Sequence, residues 1–210
     1  MTGFDPKALQ KITYGLFVIT CSYDGRDNGM ICNTVTQVAS DPMRIAVSIN
    51  KANFSHDMIK NAGTMNVCML TEEAPFEVFT RFGFQSGKDA DKFAGEQVFR
   101  SANGAPLLTK YINSFMSLKV VDYSDLGSHG LFICEPTDSA VMSDKPSMSY
   151  AYYHANVKPK RPAPAADSGE KKVKGYICNI CGYIYEGETL PEDFICPLCK
   201  HPASDFSPIE

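Results

Sequence analysis

The sequence predicts a mainly β fold, a barrel with short helical insertions, followed by a small metal-held domain. Three observations carry that expectation. Apolar runs in the first 157 residues are mostly strand-sized and end at turn residues, as over 14–21 and 44–49. Neither a G-x-G-x-x-G nor a Walker loop occurs, so a doubly wound sheet around a dinucleotide has no support. Four of the eight cysteines crowd into the last 33 residues as two C-x2-C pairs, Cys178/Cys181 and Cys196/Cys199.

The elements follow in order. Residues 14–21 form a compact apolar run that ends in the turn-rich segment 22–29. Strands are expected over 30–38 and 43–50, divided at Asp41-Pro42. A short helix is expected over 53–63, with Asn53 or Ser55 as N-cap and Gly63 as the stop. Residues 64–71 return to strand, 75–81 read as a helix opened by proline, and 83–93 as a loop. Two longer strands are expected over 113–123 and 129–142. No fixed-period repeat is present.

Domain boundaries come from composition. Residues 158–173 hold three prolines and five basic residues with no large apolar residue before Val173, which reads as a linker. Its reach is about 22 Å as a flexible coil and about 50 Å when extended. The expected organisation is a body over 1–157, the linker over 158–173 and a small domain over 174–210.

The body carries net −3, the linker +3 and the small domain −4, for −4 overall. That balance argues against nucleic acid as a partner, and the acidic tail reads either as a solubilised surface or as a docking face for a basic redox partner. The 44% hydrophobic fraction is enough for a core. No apolar run approaches the roughly 18 residues of a membrane span, and the N-terminus carries Asp5 and Pro6 in place of an apolar signal core. A cytoplasmic protein with no membrane partner is expected. Cys21, Cys32, Cys68 and Cys134 stand singly and read as small buried apolar residues.

Two C-x2-C turns supply four thiolates to one closed tetrahedral site. A closed sulfur shell leaves no open position for substrate and suits electron transfer. About 37 residues bury too little apolar surface to fold without such a staple. Spacing alone does not choose between zinc and iron. The setting does more: Tyr176, Cys181-Gly-Tyr183, Tyr185-Glu-Gly187, Cys196-Pro197, Phe194 and Phe206, with 14 residues between Cys181 and Cys196. This resembles rubredoxin, and in its short spacing the compact rubredoxin domains of rubrerythrins. The resemblance implies one iron ion held by Cys178, Cys181, Cys196 and Cys199. His201, just past the last cysteine, reads as a surface residue.

The body offers a second resemblance. Residues 33–42 are a polar strand segment before an Asp-Pro turn, 48–56 a Ser/Asn/Lys strand end opening a capped helix, and Gly127-Ser-His129 a Gly-x-His before a late strand. Across nearly all of residues 4–157 this resembles the flavin reductase-like family of FMN-binding split barrels. The family's usual Gly-Asp-His is Gly-Ser-His here, which removes a carboxylate beside the histidine. The resemblance implies FMN contacts from Asn33, Thr34, Val35, Thr36, Ser48, Asn50, Lys51, Asn53, Ser55 and His56. A helix N-terminus with free N–H groups suits the phosphate of FMN. His129 would lie near the flavin face used by a nicotinamide, or be structural. The loop 81–88 and the aromatic run 150–153 either edge the pocket or are, respectively, an exposed loop and barrel packing. The family's two-fold interface implies a homodimer.

Together these imply an electron-transfer flavo-rubredoxin. Electrons would pass from NAD(P)H via FMN to the iron and on to an acceptor such as a flavodiiron oxygen or nitric oxide reductase. Two alternatives stay open: a flavin reductase with a structural zinc ribbon, and a non-catalytic carrier loaded by a separate reductase.

Overall fold

The computed structural model describes residues 3–159, 175–179, 182–197 and 201–209. The expected linker over 158–173 therefore lies outside the described residues from 160 onward, as do Cys181 and Cys199.

Strands β1 (Phe17–Tyr23) and β2 (Arg26–Cys32) form a hairpin closed by Asp24 and Gly25, whose φ values are 51° and 70°. The segment 22–29 is therefore mostly strand, with a turn of only two residues. Asn28 and Gly29 stay in the ladder opposite Cys21 and Thr20. Strands β3 (Val35–Ser40) and β4 (Met43–Asn50) follow, joined at a cis Asp41-Pro42 peptide. Helix α1 (Phe54–Ala62) starts after Asn53 and stops at Gly63, whose φ of 69° is the left-handed geometry a helix stop requires. Strand β5 (Thr64–Leu70) and helix α2 (Phe76–Gly83) come next. The two-residue strands β6 (Phe99–Arg100) and β7 (Pro106–Leu107) pair with each other. Strands β8 (Ile112–Asp125) and β9 (His129–Val141) are the long pair. The helical turn α3 (Tyr150–Tyr152) continues into a wider turn over Tyr153–Val157.

The body sheet has the order β2-β1-β5-β8-β9-β4-β3, with antiparallel neighbours throughout. Its two edge strands, β2 and β3, are consecutive in the chain and separated only by Asn33 and Thr34. Three peptide steps span at most about 11 Å. The edges must therefore meet, so the sheet rolls into a barrel with its split at Asn33-Thr34. This is why the expected single strand over 30–38 is two strands, one on each lip.

The rolled sheet has two apolar faces. Ile19 and Val67 face a cluster with Val47, Ile59, Leu118 and Phe132, which fills the barrel. Their ladder neighbours Val18 and Cys68 face the opposite way, against Phe79, Met148 and Tyr153 under α2 and the C-terminal segment. A strand buried on both faces reads as a continuous apolar run, which explains residues 14–21. The Tyr153 ring lies 4.3 Å from that of Phe79 at a tilt of 36°, so this residue of the aromatic run packs against α2, while Tyr150 is exposed.

In the small domain, β10 (Gly175–Cys178) lies between β11 (Ile184–Tyr185) and β12 (Phe206–Ile209). Tyr183, Tyr185, Phe194 and Phe206 pack against Cys178 and Cys196.

Two outcomes follow from this packing. Ile59 is fully buried, so Ile59→Ala should lower the unfolding free energy by about 2–5 kcal/mol in a urea titration. Val38→Ala, on the exposed edge strand, should change it by less than about 0.5 kcal/mol. Burial pushes the thiols of Cys21, Cys68 and Cys134 up to about 12. At pH 8 only about one in ten thousand of these is thiolate, so a thiol reagent should leave all three untouched until the body is unfolded.

Candidate functional site

A cavity of about 250 Å³ opens beside the lip of the split. β2 contributes Asn28 and Met30 to its wall, the start of α1 contributes Asn53 and Ser55, and the loop after α2 contributes Gly87 and Lys92. These elements meet because α1 packs on β1, β2 and β5 while α2 packs on β2.

The chemistry centres on Lys92, which is only 5% exposed. Its Nζ donates to the carbonyls of Gly29 at 2.8 Å and Phe82 at 3.2 Å. An ammonium has three N–H groups, so one remains for the cavity. Burial pulls its pKa down from 10.5 to about 8, while the nearby Cys21 acts in the other direction. Asn28 Nδ2 donates to Ser55 Oγ at 2.9 Å. Asn28 Oδ1 is buried and, among the described residues, has no hydrogen-bond partner. Space above it is tight, since a Cβ at Gly87 would stand 2.3 Å from that oxygen.

Asn53 caps α1 in extended backbone geometry without a side-chain hydrogen bond to the helix; its Nδ2 lies 3.8 Å from Met30 Sδ. The first amides of α1 are thus not taken up by the cap side chain, and they lie at the cavity wall. A buried cation, a helix N-terminus and hydroxyl and amide groups converge in one recess. That donor set suits an anion carrying further hydroxyls.

The residues singled out from the sequence fall into four places. Asn53 and Ser55 line the cavity, as do residues 83–87 of the loop. Asn33, Thr34 and Val35 lie half-buried at the split, with Thr36 exposed on the edge strand beside them. There Thr34 Oγ1 donates to the Ser48 carbonyl at 2.7 Å, and Ser48 N–H donates to the Thr34 carbonyl at 3.1 Å. Asn50 ends β4 opposite His129, and Lys51 follows it, its N–H donating to the Ser128 carbonyl. Asn50 Oδ1 accepts from Ala52 N–H at 2.9 Å, Lys51 pairs with Asp125 at 2.7 Å, and His129 Nδ1 lies 2.9 Å from Ser128 Oγ. His56 points into the barrel, its Nδ1 2.8 Å from Asp57 Oδ1 and its Nε2 3.2 Å from the Tyr123 hydroxyl. Both its ring nitrogens are engaged by the protein.

Asn28 and Lys92 were not legible as site residues. Asn28 stands in what reads as a turn, and the burial of Lys92 comes from contacts with β2 and α2 that are distant in sequence. A larger cavity of about 520 Å³ lies between α2 and residues 93–98 and 107–111, but none of the expected cofactor contacts reaches it.

Two loops of the small domain are closed alike. Cys178 N–H donates to the Tyr183 carbonyl and Cys196 N–H to the His201 carbonyl, each at 2.8 Å. Both bonds run from a cysteine to the fifth residue on. Cys178 and Cys196 are buried at 1% and 0% exposure. Each opens a C-x2-C pair, and their partners Cys181 and Cys199 lie outside the described residues. Among the described residues no group of three metal-ligating side chains forms.

Comparison with known proteins agrees with this two-part construction. The family model "Flavin reductase like domain" matches residues 9–161, and "Rubrerythrin, rubredoxin-like domain" matches 176–207. The chain is 38% identical to the high molecular weight rubredoxin of Moorella thermoacetica, over 93% of this chain and 95% of that one. It is 39% identical to a ferric-chelate reductase (NAD(P)H) of Archaeoglobus fulgidus, over 80% of this chain and 99% of that one. The body shares its fold with an FMN-binding protein of Thermus thermophilus, with TM-score 0.62 and 20% identity over 71% of this chain and 88% of that one. The chain belongs to the flavin reductase-like family and, with its C-terminal rubredoxin-like domain, is a homologue of high molecular weight rubredoxin.

Proposed function

We propose that this protein is an NAD(P)H-dependent flavo-rubredoxin. The body over 1–157 binds FMN, and a tail over 174–210, tethered through 158–173, binds one iron ion through Cys178, Cys181, Cys196 and Cys199. The observation that carries the reading is the Lys92 cavity. Its buried ammonium and the α1 N-terminus suit a phosphate. Held there, FMN would supply two-electron acceptance with one-electron release, and an iron ion held by Cys178, Cys181, Cys196 and Cys199 would supply one-electron acceptance.

The chain's own residues set the conditions. Lys92, Asn53 and Ser55 hold the phosphate end, while Asn33, Thr34, Val35, Thr36 and Ser48 offer backbone and hydroxyl groups along the split. Asn50 and Lys51 close the end of β4, with His129 on the side open to a nicotinamide. His56 acts from behind α1, fixing the helix start through Asp57 and Tyr123. Because Asn33–Thr36 run onto an exposed edge strand, a second copy covering that edge completes the site, which supports a homodimer. The four single cysteines are buried thiols, which suits a reducing cytoplasm. Glu186, Glu188, Glu192 and Asp193 are exposed, giving the tail an acidic face for a redox acceptor with a basic surface, such as a flavodiiron protein.

The direct test is a visible spectrum of anaerobically purified protein. Flavin and iron–thiolate bands that both bleach on adding NADH or NADPH are expected, with one iron per chain. A colourless zinc-loaded tail would favour the flavin reductase alternative, and bound flavin indifferent to both nucleotides would favour a carrier loaded by another reductase.

The phosphate contact has a pH signature. Lys92 is charged below about pH 8 in the flavin-free protein, and an FMN phosphate takes its second charge around pH 6, so that it is mostly dianionic by about pH 7. FMN affinity should therefore be highest near pH 7 and fall as pH rises through 8, where binding must first take up a proton. Lys92→Met should weaken binding about tenfold or more at pH 7 and flatten the profile. Fluorescence titration at pH 7 and 9 measures both.

A further inference from the structure

The small domain meets the body at α2. Phe76 and Phe84, at the two ends of that helix with ring centroids 5.7 Å apart, pack against the cluster of Cys178, Cys196 and Phe206. Pro197 lies in a groove with Phe76, Thr80 and Lys92, and His201 forms part of the wall of the Lys92 cavity, beside Asn53 and Ser55. Pro197 thus lies at the surface of α2 and His201 at the Lys92 cavity.

The sister loop makes the placement informative. Its corresponding residue, Tyr183, stacks on Phe194 at 6.4 Å inside the small domain's own aromatic cluster. Loops closed by the same backbone bond place Tyr183 inside the small domain and His201 at the wall of a cavity of the neighbouring domain. The sequence reads His201 as a surface residue because nothing local to it signals a partner on the body.

We propose that the rubredoxin-like domain docks on its own body through Phe76 and Phe84 and thereby supplies His201 as a wall of the cofactor cavity, so that docking and cofactor binding strengthen each other. The inference rests on the reading of that cavity as the FMN site. A tether raises the local concentration of the tail to the order of millimolar, so a contact of two aromatic rings suffices. Linkage makes the effect reciprocal: whatever factor docking adds to FMN affinity, FMN adds to docking.

The test uses iron-loaded, full-length protein freed of flavin. His201→Ala and Phe76→Ser, one change in each domain, should each raise the FMN dissociation constant about fivefold or more. The double variant should add little further, because both changes break one contact. Amide exchange of the wild-type chain needs no variant: residues 201–207 should exchange more slowly once FMN is added, independently of protein concentration. Unchanged affinity in both single variants, or unchanged exchange at 201–207, overturns the docking proposal and leaves the FMN reading standing. If the wild-type chain takes up no FMN, the FMN reading fails. Docking is then judged alone, by whether Phe76→Ser speeds exchange at 201–207.

Discussion

The arrangement depends on one buried ammonium. Lys92 is held by the carbonyls of Gly29 on β2 and Phe82 on α2, and so ties the first hairpin of the barrel to the helix that covers it. A charge buried at that depth persists only where fixed dipoles replace its water. Two glycines make the room. A Cβ at Gly29 would meet the Phe82 ring at 2.8 Å, and one at Gly87 would meet Asn28 Oδ1 at 2.3 Å. Without that bond the cavity would lose both its shape and its charge.

Barrel closure supplies the rest of the setting. The two residues between β2 and β3 force the sheet edges together. The same stretch of chain that ends the lip carries Asn28 and Met30 on one side and Thr34 on the other. Only the three-residue turn 51–53 separates α1 from β4, so the helix N-terminus is placed by the end of that strand. α2 serves twice, since its last turn supplies a carbonyl to Lys92 and the phenylalanines at its ends meet the tail. The Lys92 cavity and the rubredoxin-like domain therefore share one helix.

What was legible in the sequence was local. Asn53 and Gly63 bracket α1 because capping is decided within one turn, and 43–50 is a strand because its apolar run is strand-sized and bounded by the Asp41-Pro42 turn. The cysteine pairs were legible for the same reason: two C-x2-C spacings are local, and the rubredoxin-like family match over 176–207 spans both. The segment 22–29 misled because Asp, Asn and Gly favour turns in isolation. Here the pairing of Asn28 with Cys21 and Gly29 with Thr20 overrides that preference. Lys92 and His201 were illegible in their roles, since each is defined by residues far away in sequence. His56 reads as part of a phosphate-binding helix start, yet its ring turns inward to Tyr123 and Phe132, a direction set by the fold of β8 and β9.

The central claim is that Lys92 is the cation around which the cofactor phosphate is held. Nitrogen-resolved NMR of the lysine side chains, on full-length protein with and without FMN, addresses it directly. Lys92 should titrate near 8 in the flavin-free chain and move above about 9 when FMN is bound, because a neighbouring dianion favours the charged form. A Lys92 titration that stays the same on FMN binding would contradict the account.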